Sequence, residues 1–122
     1  MHLKFLTSPL VIFIKRGRHA MKFTVNTKQR VYLSKTKFSI LLYRKMLITV
    51  HPQEKTILIT LYNEKIFHKT FSSNTYKAIK RDINHFLLAV SCELLLTKYY
   101  EDAMRIITNN ASYLQKLFRD LM

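Results

Sequence analysis

The sequence predicts an α+β domain: an antiparallel sheet over about residues 22–71, followed by and packed against two or three helices over about 74–121. Three observations carry this expectation. Between Phe23 and Phe71 apolar residues recur with a period of two and β-branched and aromatic residues are dense, the pattern of half-buried strands. After Ser72-Ser73-Asn74 the period changes to three and four, which is helical. A chain of 122 residues that is 48% hydrophobic is the size of one domain with one core.

Residues 1–20 contain the apolar run from Phe5 to Ile14, followed by Lys15, Arg16 and Arg18. The run is well short of the roughly 20 apolar residues that span a bilayer. Its basic stretch follows the apolar run and no small-x-small cleavage site is visible, which argues against a secretory signal. Four basic residues and no acidic ones are compatible with a transit peptide, whereas Met21-Lys22-Phe23-Thr24-Val25 reads as an alternative start. Residues 1–20 are therefore expected to be a basic, apolar and optional extension to a single domain at 21–122.

Strands are expected at 22–27, 30–33, 37–43, 46–51, 56–62 and 65–71. In the clearest hairpin Met46, Ile48 and Val50 share a face with Ile57, Ile59 and Leu61, while Thr49, Thr56 and Thr60 take the other. Asn63-Glu64 punctuates the next turn. With one Gly and two Pro in the chain, glycine-dependent two-residue turns are disfavoured and long helices favoured.

Ser72-Ser73-Asn74 supplies polar caps to a helix in which Tyr76, Ile79, Ile83, Leu87, Val90 and Leu94 recur. That helix either runs unbroken to about Thr108 or breaks near Thr97-Lys98, with Asn109-Asn110 as the stop. A last helix aligns Leu114, Leu117, Phe118 and Leu121. Residues 86–96 are apolar on more than one side, so the last helix folds back on them or a second copy covers them. A homodimer through residues 86–107 is one expectation.

Recognisable chemistry is missing from the chain. Gly17 is the only glycine, which excludes a P-loop and a dinucleotide fingerprint. One cysteine and no histidine pair at three-to-five spacing leave no closed zinc site. Cys92 with His85, seven apart, is the one nucleophile pairing, and a buried, inert thiol is the expectation for Cys92. Asp102 with Arg105 reads as a surface helix pair. No enzyme, cofactor or metal is expected. The lone cysteine gives no support for an oxidising compartment, so an intracellular, cytoplasmic setting is expected, or an organellar one if residues 1–20 are a transit peptide.

The charge is informative. The net charge is +14, and residues 1–83 hold 17 basic against 3 acidic side chains, whereas residues 84–122 hold four of each. So lopsided a distribution implies a polyanionic partner. The basic residues cluster at expected strand ends and turns, interleaved with Tyr32, Tyr43, Tyr62, Phe67 and Phe71. Cations beside exposed rings suit single-stranded nucleic acid, with phosphates on the charges and bases on the rings.

The order of elements, a basic hairpin feeding an amphipathic helix, resembles that of small transcription coactivators and organellar proteins that bind single-stranded DNA on a curved sheet. The resemblance covers the stretch from Lys55–Leu61 through Thr75–Ile79, under a third of the chain, and no motif assigns the chain to a family.

The expectation is a non-catalytic nucleic-acid-binding protein favouring single-stranded DNA or RNA. Arg30, Lys37, Arg44, Lys45, Lys69, Lys77, Lys80 and Arg81 are the expected phosphate contacts, and Tyr43 and Tyr62 the stacking residues. The competing expectation is a structural or regulatory module docking on an acidic protein partner; a membrane is the least favoured partner.

Overall fold

The computed structural model describes residues 28–122 in full and, of the N-terminal segment, the backbone of two strands. These are β1 (Leu10–Arg16) and β2 (His19–Val25), paired antiparallel as a separate two-stranded sheet. The remainder is an α+β fold, a five-stranded antiparallel sheet followed by four helices. The strands are β3 (Gln29–Leu33), β4 (Phe38–Leu42), β5 (Met46–His51), β6 (Thr56–Leu61) and β7 (Glu64–Thr70), and each pairs with the next in sequence.

The strand expected at 22–27 is thus not part of the main sheet. Its partner β1 lies within the segment expected to be an extension, and the boundary drawn after residue 20 falls inside β2. Residues 1–9, 17–18 and 26–27 lie outside the described residues, and with them about half of the expected targeting segment.

Because successive strand residues point to opposite faces, the register sorts the sheet into two surfaces. One row on the helix-bearing face is Val31, Ile40, Ile48, Ile59 and Phe67; Leu33, Phe38, Val50 and Ile57 form a second. From Phe38 to Ile59 these side chains are fully buried, and the expected pairing of Met46, Ile48 and Val50 with Ile57, Ile59 and Leu61 is present. Burying each such side chain stabilises the fold by about 1.5–3 kcal/mol. The opposite face carries Tyr32, Ser39, Thr49, Leu58 and His68 in one row, with Arg30, Leu41, Leu47 and Thr60 in the next.

Four helices lie over the apolar face: α1 (Ser73–Arg81), α2 (Ile83–Leu94), α3 (Tyr100–Asn109) and α4 (Ala111–Leu121). The expectation of two or three helices missed the break at Asp82. There the Ser72-capped α1 ends, and the extended Asp82 accepts from the Asn84 amide at 2.9 Å to cap α2. The break is sealed from the far end of the chain: Gln115 of α4 accepts from the Ile83 amide at 2.6 Å and donates to the Lys80 carbonyl at 3.3 Å. A 3.6-residue pattern runs through such a break without a phase slip, so periodicity alone does not report it.

The second break falls where one of the two readings put it. Thr97 donates its hydroxyl to the Leu94 carbonyl at 2.8 Å and accepts from the Tyr99 amide at 3.2 Å. Asn110 separates α3 from α4, bonding the Ile106 carbonyl at 2.7 Å and accepting from Gln29 of β3 at 2.8 Å. The last helix folds back as one expectation had it. Leu114, Leu117, Phe118 and Leu121 are buried, and Phe118 meets Phe86 edge to face at 5.1 Å. Ile83, Phe86, Val90 and Leu94 form the buried stripe of α2, so Phe86 stands where Leu87 was expected.

The far side of α2 stays open. Leu88 on the helix and Leu95 and Leu96 just after its end are exposed, Leu96 almost completely at 97%. Cys92, expected to be buried, is exposed on this side as well. The inward stripe already contains enough apolar residues to fill the core, and the second apolar stripe turns outward.

Candidate functional site

The hairpins β4–β5 and β6–β7 end side by side. Tyr43 and Arg44 both have positive φ (53° and 59°), and Lys45 donates to Leu42 across the turn at 2.9 Å, the geometry of a type I′ hairpin turn. Tyr62 and Asn63 have φ of 50° and 66° and join Leu61 to its register partner Glu64, which makes a second such turn. The low glycine content therefore did not prevent tight positive-φ turns, a three-residue loop between Leu42 and Met46 and a two-residue one at Tyr62-Asn63 rather than at Asn63-Glu64. Right-handed strand twist demands this turn geometry, and the twist prevails over the residue preference at a cost of about 1–2 kcal/mol for each non-glycine residue.

The Tyr62 amide donates to the Lys45 carbonyl at 2.8 Å and the Tyr43 amide to the Lys28 carbonyl at 2.8 Å. These bonds place Lys28, Tyr43, Arg44, Lys45, Tyr62, Asn63 and Lys65 at one end of the sheet. Lys28, Arg44, Lys45 and Lys65 are exposed, and so is Tyr62 at 57%. Glu64 is the one acid in this group. It faces the helix side, where Tyr99 donates its hydroxyl to it, and this bond is the first reason the Tyr99 phenol is held above its ordinary value of 10.0.

Four of the ten expected contact residues, Tyr43, Arg44, Lys45 and Tyr62, are thereby brought together. The other six are dispersed. Arg30 lies on the face opposite the helices but is buried at 5% exposure, so it does not offer its charge at the surface as expected. Lys37 is half-buried at the opposite end of the same face. Lys69 falls on the helix side of edge strand β7, 3.6 Å from Glu93 and over the Phe71 ring at 6.0 Å. The phase of β7 is responsible: a bulge between Ile59 and Thr60 shifts the register, so that Phe67 and Lys69 share the core side. Lys77, Lys80 and Arg81 lie on α1, with Lys77 and Arg81 exposed. Lys80 and Arg81 occupy the last turn, where cations suit the helix dipole.

The sheet face opposite the helices carries a further feature, formed across strands. A cavity of about 350 Å³ is lined by Tyr32, Lys37, Ser39, Leu41, Leu47 and Thr49. Its polar centre is the Ser39–Thr49 hydroxyl pair, 2.9 Å apart and buried at 4% and 6% exposure. Alternation in β4 and β5 assigns these residues to the non-core face; the cavity itself arises from cross-strand neighbours that only the register identifies.

Among the described residues no three His, Cys, Asp or Glu side chains are grouped to hold a metal ion, and no helix is long and apolar enough to cross a membrane. Apart from Glu64, the acids are distributed away from the hairpin tips: Asp82 caps α2, Glu93 meets Lys69 and Asp102 pairs with Arg105 as expected.

Together these features define a class: an α+β domain with a five-stranded meander, helices on one face, and a cation- and tyrosine-bearing end. No protein-family model matches the chain, and neither the curated proteins nor the solved structures contain a significant match.

Proposed function

We propose that this chain is a non-catalytic nucleic-acid-binding protein that favours single-stranded DNA or RNA. The observation that carries the reading is the pair of joined hairpin tips, where Lys28, Arg44, Lys45 and Lys65 surround Tyr43 and Tyr62 and the one acid turns to the helix side. Phosphates take the cations and an unstacked base takes the exposed Tyr62 ring, a contact worth about 1–3 kcal/mol per base. The net charge of +14 supports the same partner, because a polyanion relieves the self-repulsion of such a chain.

The turn conformations add weight. Glycine would fit positive φ without steric cost, yet Tyr, Arg and Tyr occupy three of the four positions, and strain retained in this way is characteristic of functional segments. On this reading Arg44 and Lys45 are the principal phosphate contacts, Lys77 and Arg81 extend the path along α1, and Lys69 is a minor contributor because Glu93 competes for it.

Self-association is a second element of the proposal. Leu88 and Cys92 lie four apart on the outer side of α2, and the exposed Leu95 and Leu96 follow directly after its end. They lie in the part of the chain whose formal charges balance, so a second copy meets this side without the like-charge cost it would meet elsewhere. A homodimer through residues 86–107 follows.

Titration of labelled single- and double-stranded oligonucleotides at several salt concentrations tests the reading. Single-strand binding with a log–log salt slope of about −0.7 per phosphate contact supports it. Binding of acidic polypeptides in preference to oligonucleotides favours the acidic-protein alternative instead.

A further inference from the structure

We infer that the cavity on the sheet face opposite the helices is a seat for one unstacked nucleobase of a bound single strand; the inference rests on the nucleic-acid reading and names where a base is held. At about 350 Å³ the cavity is at the small end of the ligand-site range of about 300–1,000 Å³. Leu41 and Leu47 are cross-strand neighbours and form its apolar part, while Tyr32 brings an aromatic ring beside Ser39, its register partner.

The hydroxyl pair selects the occupant. Ser39 and Thr49 share one hydrogen bond, and either can donate it, which leaves one O–H and several lone pairs to address a ligand. Such a pair serves a donor or an acceptor on a base edge by rotating, so it holds a base without dictating which one. An aliphatic chain would bury those polar groups with nothing to bond, a loss of the kind that disfavours polar burial. A nucleobase satisfies all three surfaces, having a π face for Tyr32, an edge for the hydroxyls and apolar ring area for the leucines.

The charge around the mouth fits the phosphodiester attached to such a base. Lys37 lines the cavity, Lys35 is exposed two residues earlier in the β3–β4 turn, and no acid is among the lining residues. The strand would thus be held at its phosphates by Lys37 while one base leaves the stack. This seat runs along β4 from Lys37 to Leu41 and shares no lining residue with the hairpin-tip site.

The test compares a labelled oligothymidine with an abasic strand of equal length, using the full chain as wild type, Tyr32→Leu, Tyr32→Phe, Thr49→Val and Arg44→Ala. Equal urea midpoints establish that each variant is folded. The wild type should prefer the intact strand by about tenfold or more, from a stacking contact of this class. Tyr32→Leu should lower that preference severalfold, the remainder being the stacking on Tyr62, Thr49→Val should lower it less, and Tyr32→Phe, which keeps the ring, little. Arg44→Ala should weaken both strands equally. A preference undiminished in Tyr32→Leu, or lost as fully in Tyr32→Phe, overturns the nucleobase seat while the nucleic-acid reading stands. Binding of neither strand to the wild type at low salt overturns both.

Discussion

The Tyr62 amide donates to the Lys45 carbonyl at 2.8 Å, joining the tip of the β6–β7 hairpin to that of the β4–β5 hairpin. Neither turn alone would present more than two cations. Joined to each other and, through the Tyr43 amide, to Lys28, they form one end of the sheet with four cations and two tyrosines, the end to which the proposed binding is assigned.

Removing those cations should weaken binding without regard to sequence. Arg44→Ala combined with Lys45→Ala is expected to lower oligonucleotide affinity uniformly and to reduce the magnitude of the salt slope by about 1–2, close to 0.7 for each single-strand phosphate that is no longer neutralised. Fluorescence anisotropy at several salt concentrations measures it. Lys69→Ala, made at the residue beside Glu93, should change the slope much less.

Stability and binding should separate at Tyr62. Its φ of 50° costs a non-glycine residue about 1–2 kcal/mol, of which glycine's extra unfolded-state entropy offsets about half. Tyr62→Gly is therefore expected to be neutral or stabilising by up to about 1 kcal/mol in urea denaturation while weakening single-strand binding by about 1–3 kcal/mol. A loss of both stability and affinity would mean that the ring serves the fold.

The α1–α2 break depends on a residue more than thirty positions away. Gln115→Leu removes the partner of both the Ile83 amide and the Lys80 carbonyl, and leaving such groups unmet costs about 1–3 kcal/mol. The urea midpoint should fall accordingly.

Of the fold, the features encoded locally were legible in the sequence. Strict alternation through Met46–Val50 and Ile57–Leu61 gave their shared face, and Ser72 announced the first helix cap. The Asp82 break was hidden because apolar periodicity continues across it and its stabilising partner is distant in the chain. The two glycine-free turns were hidden because strand twist, a tertiary demand, set Tyr43, Arg44 and Tyr62 against their local preference. Of the candidate site, charge gave the residue types but not the surface. Lys69 reads like Arg44 in sequence, yet the β7 bulge puts it on the helix side, and the Ser39–Thr49 pair required the register.

Self-association should be abolished by a single charge in the turn that follows α2. Leu96 is 97% exposed, so Leu96→Asp disturbs no packing within one copy. In reducing buffer, which keeps the exposed Cys92 from cross-linking copies, the wild type is expected to sediment as a dimer and the variant as a monomer. A monomeric wild type at high concentration would remove the dimer.

Alkaline stability should report on Tyr113. Its hydroxyl is buried with no hydrogen-bond partner among the described residues, and burial pushes its ionisation well above the ordinary 10.0. A pKa raised in the folded state gives stability that is present below the unfolded value and lost as the pH rises through the folded one. The stability of the wild type should therefore decline above about pH 10, and Tyr113→Phe should reduce that decline.

The decisive measurement is the affinity of the full chain for a labelled single strand as a function of salt, made side by side with the Arg44→Ala, Lys45→Ala variant. Tight binding at low salt, a steep log–log slope and a shallower slope in the variant are expected. Absence of binding at low salt, or a slope the variant leaves unchanged, would contradict the assignment of the joined hairpin tips as the contact surface.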